Sequence, residues 1–271
     1  MINRNEEQNF NKLSEVINEY NKLQISQQLD YDKFYLYSII THSTAIEGST
    51  VTEIENQLLF DEGISASKPI HEQLMNLDLK AAYEKSFELA KQHTQITPEI
   101  LCELSALVMK NTGTVYNTIG GTFSSAKGEL RLVNVSAGRG GKSYMAWQKL
   151  PQKLEEFCSW LNSERKSIAE KDIEAQYAFS FRTHYKLVYI HPWADGNGRM
   201  SRLLMNFIQY EAGIIPSIIK KENRAEYIHS LASSQDKDDP AEFLQFMFSH
   251  HIRNLSEQIE EYKTSLEMSG S

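Results

Sequence analysis

Apolar residues three and four apart recur along nearly the whole chain, and that period commits it to helices. Phe10, Leu13, Ile17, Tyr20 and Leu23 form one stripe. Phe34, Tyr37, Ile40 and Thr44 form another, which stops at Gly48, a residue that ends helices well. Helices are predicted over 52–59 and 74–90. Thr97-Pro98-Glu99 joins a capping hydroxyl, a first-turn proline and an acid near the positive end of the helix dipole, so another helix runs from there to about Lys110. The pattern returns over 151–161, 172–189, 196–209, 227–231 and 240–262, with Pro192 breaking it after Ile190. Only 120–141 departs. That stretch is rich in glycine, and Leu130, Leu132, Asn134 and Ser136 alternate with Arg131, Val133 and Val135. Period two between glycines predicts a β-hairpin or extended flap. The expected fold class is all-α, a helical bundle with one β-hairpin flap.

The chain has 271 residues, 41% hydrophobic and 24% charged, enough for a real core and unlike a disordered chain. Its 28 basic and 36 acidic residues leave a formal charge of −8, which argues against a broad nucleic-acid interface but not against a small basic pocket. Cys102 and Cys158 cannot build a disulfide framework, and their apolar helical settings predict buried thiols in a reducing compartment. The apolar pairs Ile214-Ile215 and Ile218-Ile219 around Pro216 are too short to span a bilayer, and Met1 to Glu7 holds no apolar signal core. These features predict a cytoplasmic protein without membrane attachment. The end, 267–271, is expected to fray.

The chemistry concentrates at His191-Pro192-Trp193-Ala194-Asp195-Gly196-Asn197-Gly198-Arg199-Met200-Ser201-Arg202. Asp195, at a helix start, is placed to cap it and to hold a hard cation such as Mg²⁺. Gly196-Asn197-Gly198 lets a ligand approach bare backbone N–H groups, and a helix N-terminus is an anion site. Arg199 and Arg202 lie three apart on one helical face and can both fork onto phosphate oxygens. His191 precedes this nest as a group titrating near neutrality. A base, a metal ligand, an anion nest and two arginines together suit phosphoryl or nucleotidyl transfer.

This stretch resembles the signature of the Fic (filamentation induced by cAMP) family, His-Pro-Phe-x-Asp/Glu-Gly-Asn-Gly-Arg-x-x-Arg, with Trp193 in place of Phe as a larger apolar anchor under the loop. The likeness covers roughly 97–231. It implies a helical fold with a flap, and transfer of AMP from ATP to a Ser, Thr or Tyr hydroxyl of a protein. It implies His191 as general base and Asp195 as the Mg²⁺ ligand. The Gly196–Gly198 nest, with Asn197 beside it, would bind α- and β-phosphate oxygens, and Arg199 and Arg202 the β- and γ-phosphates. Asn206 and Tyr227 fall where ribose or adenine contacts are implied, although helix packing explains them equally well. A flap over 131–145 would pair with an extended target segment by strand addition. Self-modification and a homodimer are also compatible with the resemblance.

Ser43-Thr44-Ala45-Ile46-Glu47-Gly48 fits the family's inhibitory motif, Ser/Thr-x-x-x-Glu-Gly/Asn. Ser43 and Glu47, four apart, share a helical face. The implied mechanism pairs Glu47 with Arg202 in the γ-phosphate position, so that ATP binds misaligned. The chain then divides into an N-terminal helical region (1–95) holding an inhibitory helix at about 31–48, a catalytic core (96–235), and a C-terminal helix with tail (236–271). Three rival readings use the same residues: removal of AMP, transfer of another phosphate-containing group, and a nucleotide-binding regulator without catalysis. The remaining candidates read as structural. His250-His251 suggests surface or packing, Tyr31, Phe34, Tyr35 and Tyr37 core or interface, and His42 packing. Gly140-Gly141-Lys142-Ser143 lacks Walker spacing and reads as a flap turn.

Overall fold

The computed structural model describes residues 4–65, 67–137, 142–168 and 170–269, with side chains between 12 and 268. The expectations for Met1 to Asn3, for the side chain of Phe10, for the flap tip at 138–141 and for Gly270 and Ser271 fall outside these residues. The described helices are α1 (Arg4–Lys22), α2 (Tyr31–Ile46), α3 (Glu53–Asp61), α4 (Ile70–Lys91), α5 (Pro98–Val108), α6 (Leu150–Ile168), α7 (Ile173–Ile190), α8 (Asn197–Glu211), α9 (Arg224–Lys237) and α10 (Ala241–Ser269). The fold is all-α, with one small antiparallel sheet among the described residues. No described helix is long and apolar enough to cross a membrane. Residues 267–269 form the last turn of α10.

Local chemistry sets the helix ends. Thr97 caps α5 and Asp172 caps α7, each accepting the backbone N–H three residues on. Thr52 and Glu55 form a reciprocal capping box on α3. At the end of α2 the Gly48 N–H donates to Ala45 O and the Ser49 N–H to Thr44 O, the Schellman arrangement. Gly48 supplies the positive φ of 106° that this turn requires. Arg224 Nε donates to Ile46 O and satisfies one more orphan carbonyl.

α8 is the axle of the molecule. Nearly every residue from Asn197 to Gln209 is buried. It packs against α7 and α4, while α2 and α5 also touch it. One apolar cluster gathers α4, α5, α6 and the α7–α8 loop, including Trp193. A second gathers α1, α7, α9 and α10. The N-terminus of α8 therefore opens beside α2, α5 and the end of α7, and that is where the site lies.

The sheet is not where the alternating pattern suggested. Its strands are β1 (Val115–Thr118) and β2 (Gly121–Ser124), paired Val115 with Ser124 through Thr118 with Gly121. Among the described residues the 130–136 stretch forms no ladder, only one bridge, Ser136 with Ser143. Side chains take the positions a ladder would use: Arg131 donates to Val133 O and Met145 O, and Asn134 Oδ1 accepts the Trp147 N–H. Backbone bonds from Ala137 N to Lys142 O and from Tyr144 N to Val135 O still hold the two legs of this flap together. His250 and His251 are both buried, which is the packing alternative of their reading, and the expectation of two buried thiols holds for Cys158 only, Cys102 being half-buried. Phe34 is exposed, while Tyr37 is core.

Candidate active site

α7 ends at Ile190, and His191 turns the chain with φ 52°, a left-handed conformation that the following Pro192 cannot relax into helix. The loop is pinned from inside. Asn197 Oδ1 accepts the Trp193 N–H at 3.1 Å, and Asn197 Nδ2 donates to Trp193 O at 2.8 Å. The Asn197 side chain is thus spent on closing the loop, and only its backbone remains for a ligand. Trp193 is wholly buried, and its indole N–H donates to Gly128 O at 3.0 Å.

Asp195 does not cap α8. Gly196 occupies the N-cap position with φ 81°, and Asp195 Oδ1 instead accepts the Gly196 N–H at 2.6 Å. A side chain at Gly196 would also lie 2.9 Å from Met109 Sδ, a flexible neighbour that would have to shift, so it is the positive φ that calls for glycine. Gly196 N–H is engaged, which leaves the amides of 197, 198 and 199 without intrahelical acceptors. The Asp195 carboxylate is 58% exposed and 3.7 Å from Arg199 Nη2.

The two arginines part company. Arg199 lies against the end of α5, with Nη1 donating to Val108 O and Nη2 to Met109 Sδ. Its burial weakens its hold on its proton, and Asp195 and Glu47 partly restore it. Arg202 turns to α2. Nε donates to Ser43 Oγ, and Nη2 to Ser43 O and to Glu47 Oε1, the last at 2.6 Å. Nη1 reaches the Tyr227 hydroxyl at 3.4 Å. Arg202 is 3% exposed and the Glu47 side chain 35%, so the carboxylate stands at the mouth of the site with the guanidinium beneath it. Burial would raise the Glu47 pKa, but the charge and hydrogen bond of Arg202 outweigh it and hold the carboxyl below its ordinary range. A Cβ on Gly198 would meet Glu47 Oε1 at 2.6 Å, so the carboxylate also lies directly on the first turn of α8, the favourable end for an anion.

Ser43, Glu47, His191, Asp195, Gly196, Gly198, Arg199, Arg202 and Tyr227 thus converge around one helix terminus, while Gly48 serves the turn that ends α2. Asn206 does not converge there. It is 1% exposed, and its amide is saturated by Tyr83, Gln209 and Ser217 inside the bundle. The cavity beside it, between Ser43, Arg202 and Ser217, holds only about 10 Å³. A residue two helical turns inside a buried helix cannot reach a nucleotide at that helix's mouth. Tyr227 is buried as well, sharing its hydroxyl between Arg202 and His184 Nε2.

His191 is covered by the flap. The Tyr144 ring stacks on the imidazole at 3.8 Å between centroids, 14° from parallel. Burial first, and then the Arg131 guanidinium, lower its pKa to about 4, so it is a neutral imidazole at physiological pH. No motif in the sequence marks Tyr144 or Gly128 as site residues, and Arg131 stands out there only by its place in an alternating run.

Residues 95–209 match the sequence profile of the Fic/DOC family. They are a Fic domain. Over 253 residues, 91% of this chain, the protein is 28% identical to protein adenylyltransferase fic-1 of Caenorhabditis elegans, of which it covers 46%. It is 33% identical over 210 residues to protein adenylyltransferase Fic of Drosophila persimilis, with 73% of this chain and 36% of that protein covered. A solved structure of Fic-1 from C. elegans superposes on the chain with a TM-score of 0.74 at 25% identity, covering 95% of this chain and 73% of the other. The chain spans less than half the length of these curated relatives, and the helices that flank the Fic domain, α2 among them, lie outside the profile match.

Proposed function

We propose that this protein transfers AMP from ATP to a hydroxyl of a protein segment, and that α2 holds the reaction off. The observation that carries the reading is the meeting, at one helix N-terminus, of a neutral His191, an anion nest and a buried arginine already engaged by a carboxylate. The relatives' names support the same chemistry.

In this reading the nucleotide lays its phosphates across the amides of 197–199. Arg199 and, once Glu47 withdraws, Arg202 neutralise the β- and γ-phosphates. The target oxygen attacks the α-phosphorus and the bond to the β-phosphate oxygen breaks, so pyrophosphate leaves. His191 accepts the hydroxyl proton. Asp195 suits a metal that arrives with the nucleotide: a single exposed carboxylate is the protein share that Mg²⁺ takes beside phosphates and water. Among the described residues no group of three or more acidic, histidine or cysteine side chains makes a resident metal cage. Mg²⁺ there would supply charge neutralisation on the phosphates. Region 1–95 then contributes the inhibitory helix, 96–235 the catalytic core and 236–271 the closing helix. The flap would guide an extended target segment.

The test uses Mg²⁺ and ATP labelled at the α-phosphate, with wild type, Glu47→Gly, and Glu47→Gly combined with His191→Ala. Label on protein in Glu47→Gly alone is expected. Silence in every variant with ATP still bound sinks transfer from ATP and favours AMP removal or a binding role.

A further inference from the structure

Arg131 is fully buried, yet among the described residues none of its hydrogen bonds goes to a carboxylate. A buried guanidinium without an anion is costly, and it is tolerated only when every donor has a partner. Here the partners are three backbone carbonyls from three places. Nε donates to His191 O at 2.8 Å, Nη1 to Val133 O at 2.6 Å and Nη2 to Met145 O at 2.5 Å. The Arg131 backbone N–H adds a bond to Pro192 O at 3.1 Å. One side chain therefore joins the turn that carries the imidazole to both legs of the flap that covers it.

We propose that Arg131 is the positioning residue of this site: its guanidinium fixes the His191 turn and the flap to each other and sets a positive charge without a carboxylate partner beside the imidazole. The planar fork is what the task requires, since three acceptors in fixed directions suit a guanidinium and not an ammonium. The arrangement also explains why 130–136 fails to form a ladder, because the Val133 and Met145 carbonyls are already taken. It places Tyr144, one residue before Met145, over the imidazole.

The groups that face His191 separate the charge effect from others. From the flap these are Arg131 and Tyr144, from α2 Glu47, and from its own helix the Val188 carbonyl. Glu47 and Val188 favour the protonated ring, whereas burial and Arg131 oppose it. The proposal rests on the reading of His191 as the base, but its test does not require transfer to occur.

The full chain, carrying isotope-labelled histidine, is titrated by NMR, with His191→Gln identifying the signal. Hydrogen exchange is followed over 133–137 and 142–145 in the same samples. In Arg131→Met the His191 midpoint is expected to rise by at least about one pH unit, the scale of removing a nearby like charge. The flap amides should exchange roughly tenfold faster, as losing one or two hydrogen bonds predicts. In Arg131→Lys the charge stays and the fork goes, so exchange should quicken while the midpoint holds near that of the parent. An unmoved midpoint in Arg131→Met, or unchanged flap exchange in both variants, overturns the proposal. If Arg131→Met does not fold, Arg131→Lys decides it: unchanged exchange there refutes the tether.

Discussion

Glu47 Oε1 stands 2.6 Å from Arg202 Nη2 and at the same distance from where a side chain on Gly198 would begin. A carboxylate on the first turn of α8 occupies the place an anionic ligand would take, and it holds the guanidinium that such a ligand would need. Removing it leaves Arg202 with Ser43 and Tyr227, none of them charged at neutral pH. Glu47→Gly is therefore expected to raise transfer of α-labelled AMP by roughly 10- to 100-fold, the competitive weight of one charge-assisted hydrogen bond. Glu47→Gln keeps the shape and loses the charge, so its rate should fall between the two. A Gln variant as active as Gly would mean that charge alone carries the inhibition.

Gly198 tests the nest itself. An alanine methyl there would sit 2.6 Å from the Glu47 oxygen and 3.1 Å from Arg202 Nη1, both at the free ends of flexible side chains. The fold should accommodate that shift with little loss of melting temperature. A phosphate laid on the same amides cannot move aside so easily. In a Glu47→Gly background, Gly198→Ala is expected to weaken ATP binding by about tenfold or more, measured by calorimetry. Equal affinities would place the phosphates elsewhere.

His191→Ala removes the base while leaving Arg199, Arg202 and the helix terminus untouched. With Glu47 also replaced by Gly, transfer should drop by roughly 10²- to 10⁴-fold, the usual span of a general base, with ATP affinity within a few-fold of the parent. A parallel loss of affinity would make His191 a binding residue instead.

What was legible in the sequence is what periodicity and short spacing encode. The stripe ending at Gly48, the start at Thr97-Pro98-Glu99 and the break at Pro192 each rest on neighbours within a few residues. His191 to Arg202 was legible for the same reason. The sheet was misplaced because Arg131, Val133 and Val135 alternate like a strand, whereas the carbonyls a strand would pair are claimed by a side chain. Asp195 has the spacing of a cap, since spacing does not reveal that Gly196 takes that place with positive φ. Asn206 shares the face of Arg202 along α8, and only the packing of α4 and the 214–219 segment shows that this part of the face is sealed. Arg131 and Tyr144 were invisible as site residues because their partners lie 60 and 47 positions away along the chain.

Acid should unfold this protein through its histidines. The ordinary value is 6.5; His191 and His250 are lowered to about 4 and His251 to about 3, burial being the largest cause in each. The folded state keeps these rings neutral while the unfolded chain protonates them below pH 6.5. The unfolded state thus binds more protons between 6.5 and about 4, and stability falls as pH drops through that window. Above it the contribution is fully present. His251 packs against the Tyr177 ring at 4.5 Å, and its Nε2 has no hydrogen-bond partner among the described residues. His251→Phe should therefore keep the neutral-pH melting temperature close to that of the parent and flatten its decline toward pH 4. An unchanged slope would assign the acid loss to the other rings.

Gly128 links the site to the rest of the fold, and its replacement should be among the most damaging single-methyl additions in the chain. It adopts φ 68°, where an L side chain is strained. An ideal Cβ would lie 1.9 Å from Cys102 O and 2.9 Å from Ala106 N, both backbone atoms of α5 that cannot swing away. Its own carbonyl accepts the Trp193 indole N–H, so any retreat of the 128 backbone from α5 strains the anchor beneath the His191 loop. Gly128→Ala is expected to cost about 3 kcal/mol or more, combining left-handed strain with overpacking. Denaturant unfolding measures the loss, and tryptophan fluorescence reports whether Trp193 is released with it. Serine should do no better, because the obstacle begins at Cβ. A Gly128→Ala protein as stable as the parent would mean that the loop at 125–128 can part from α5 without disturbing the indole bond.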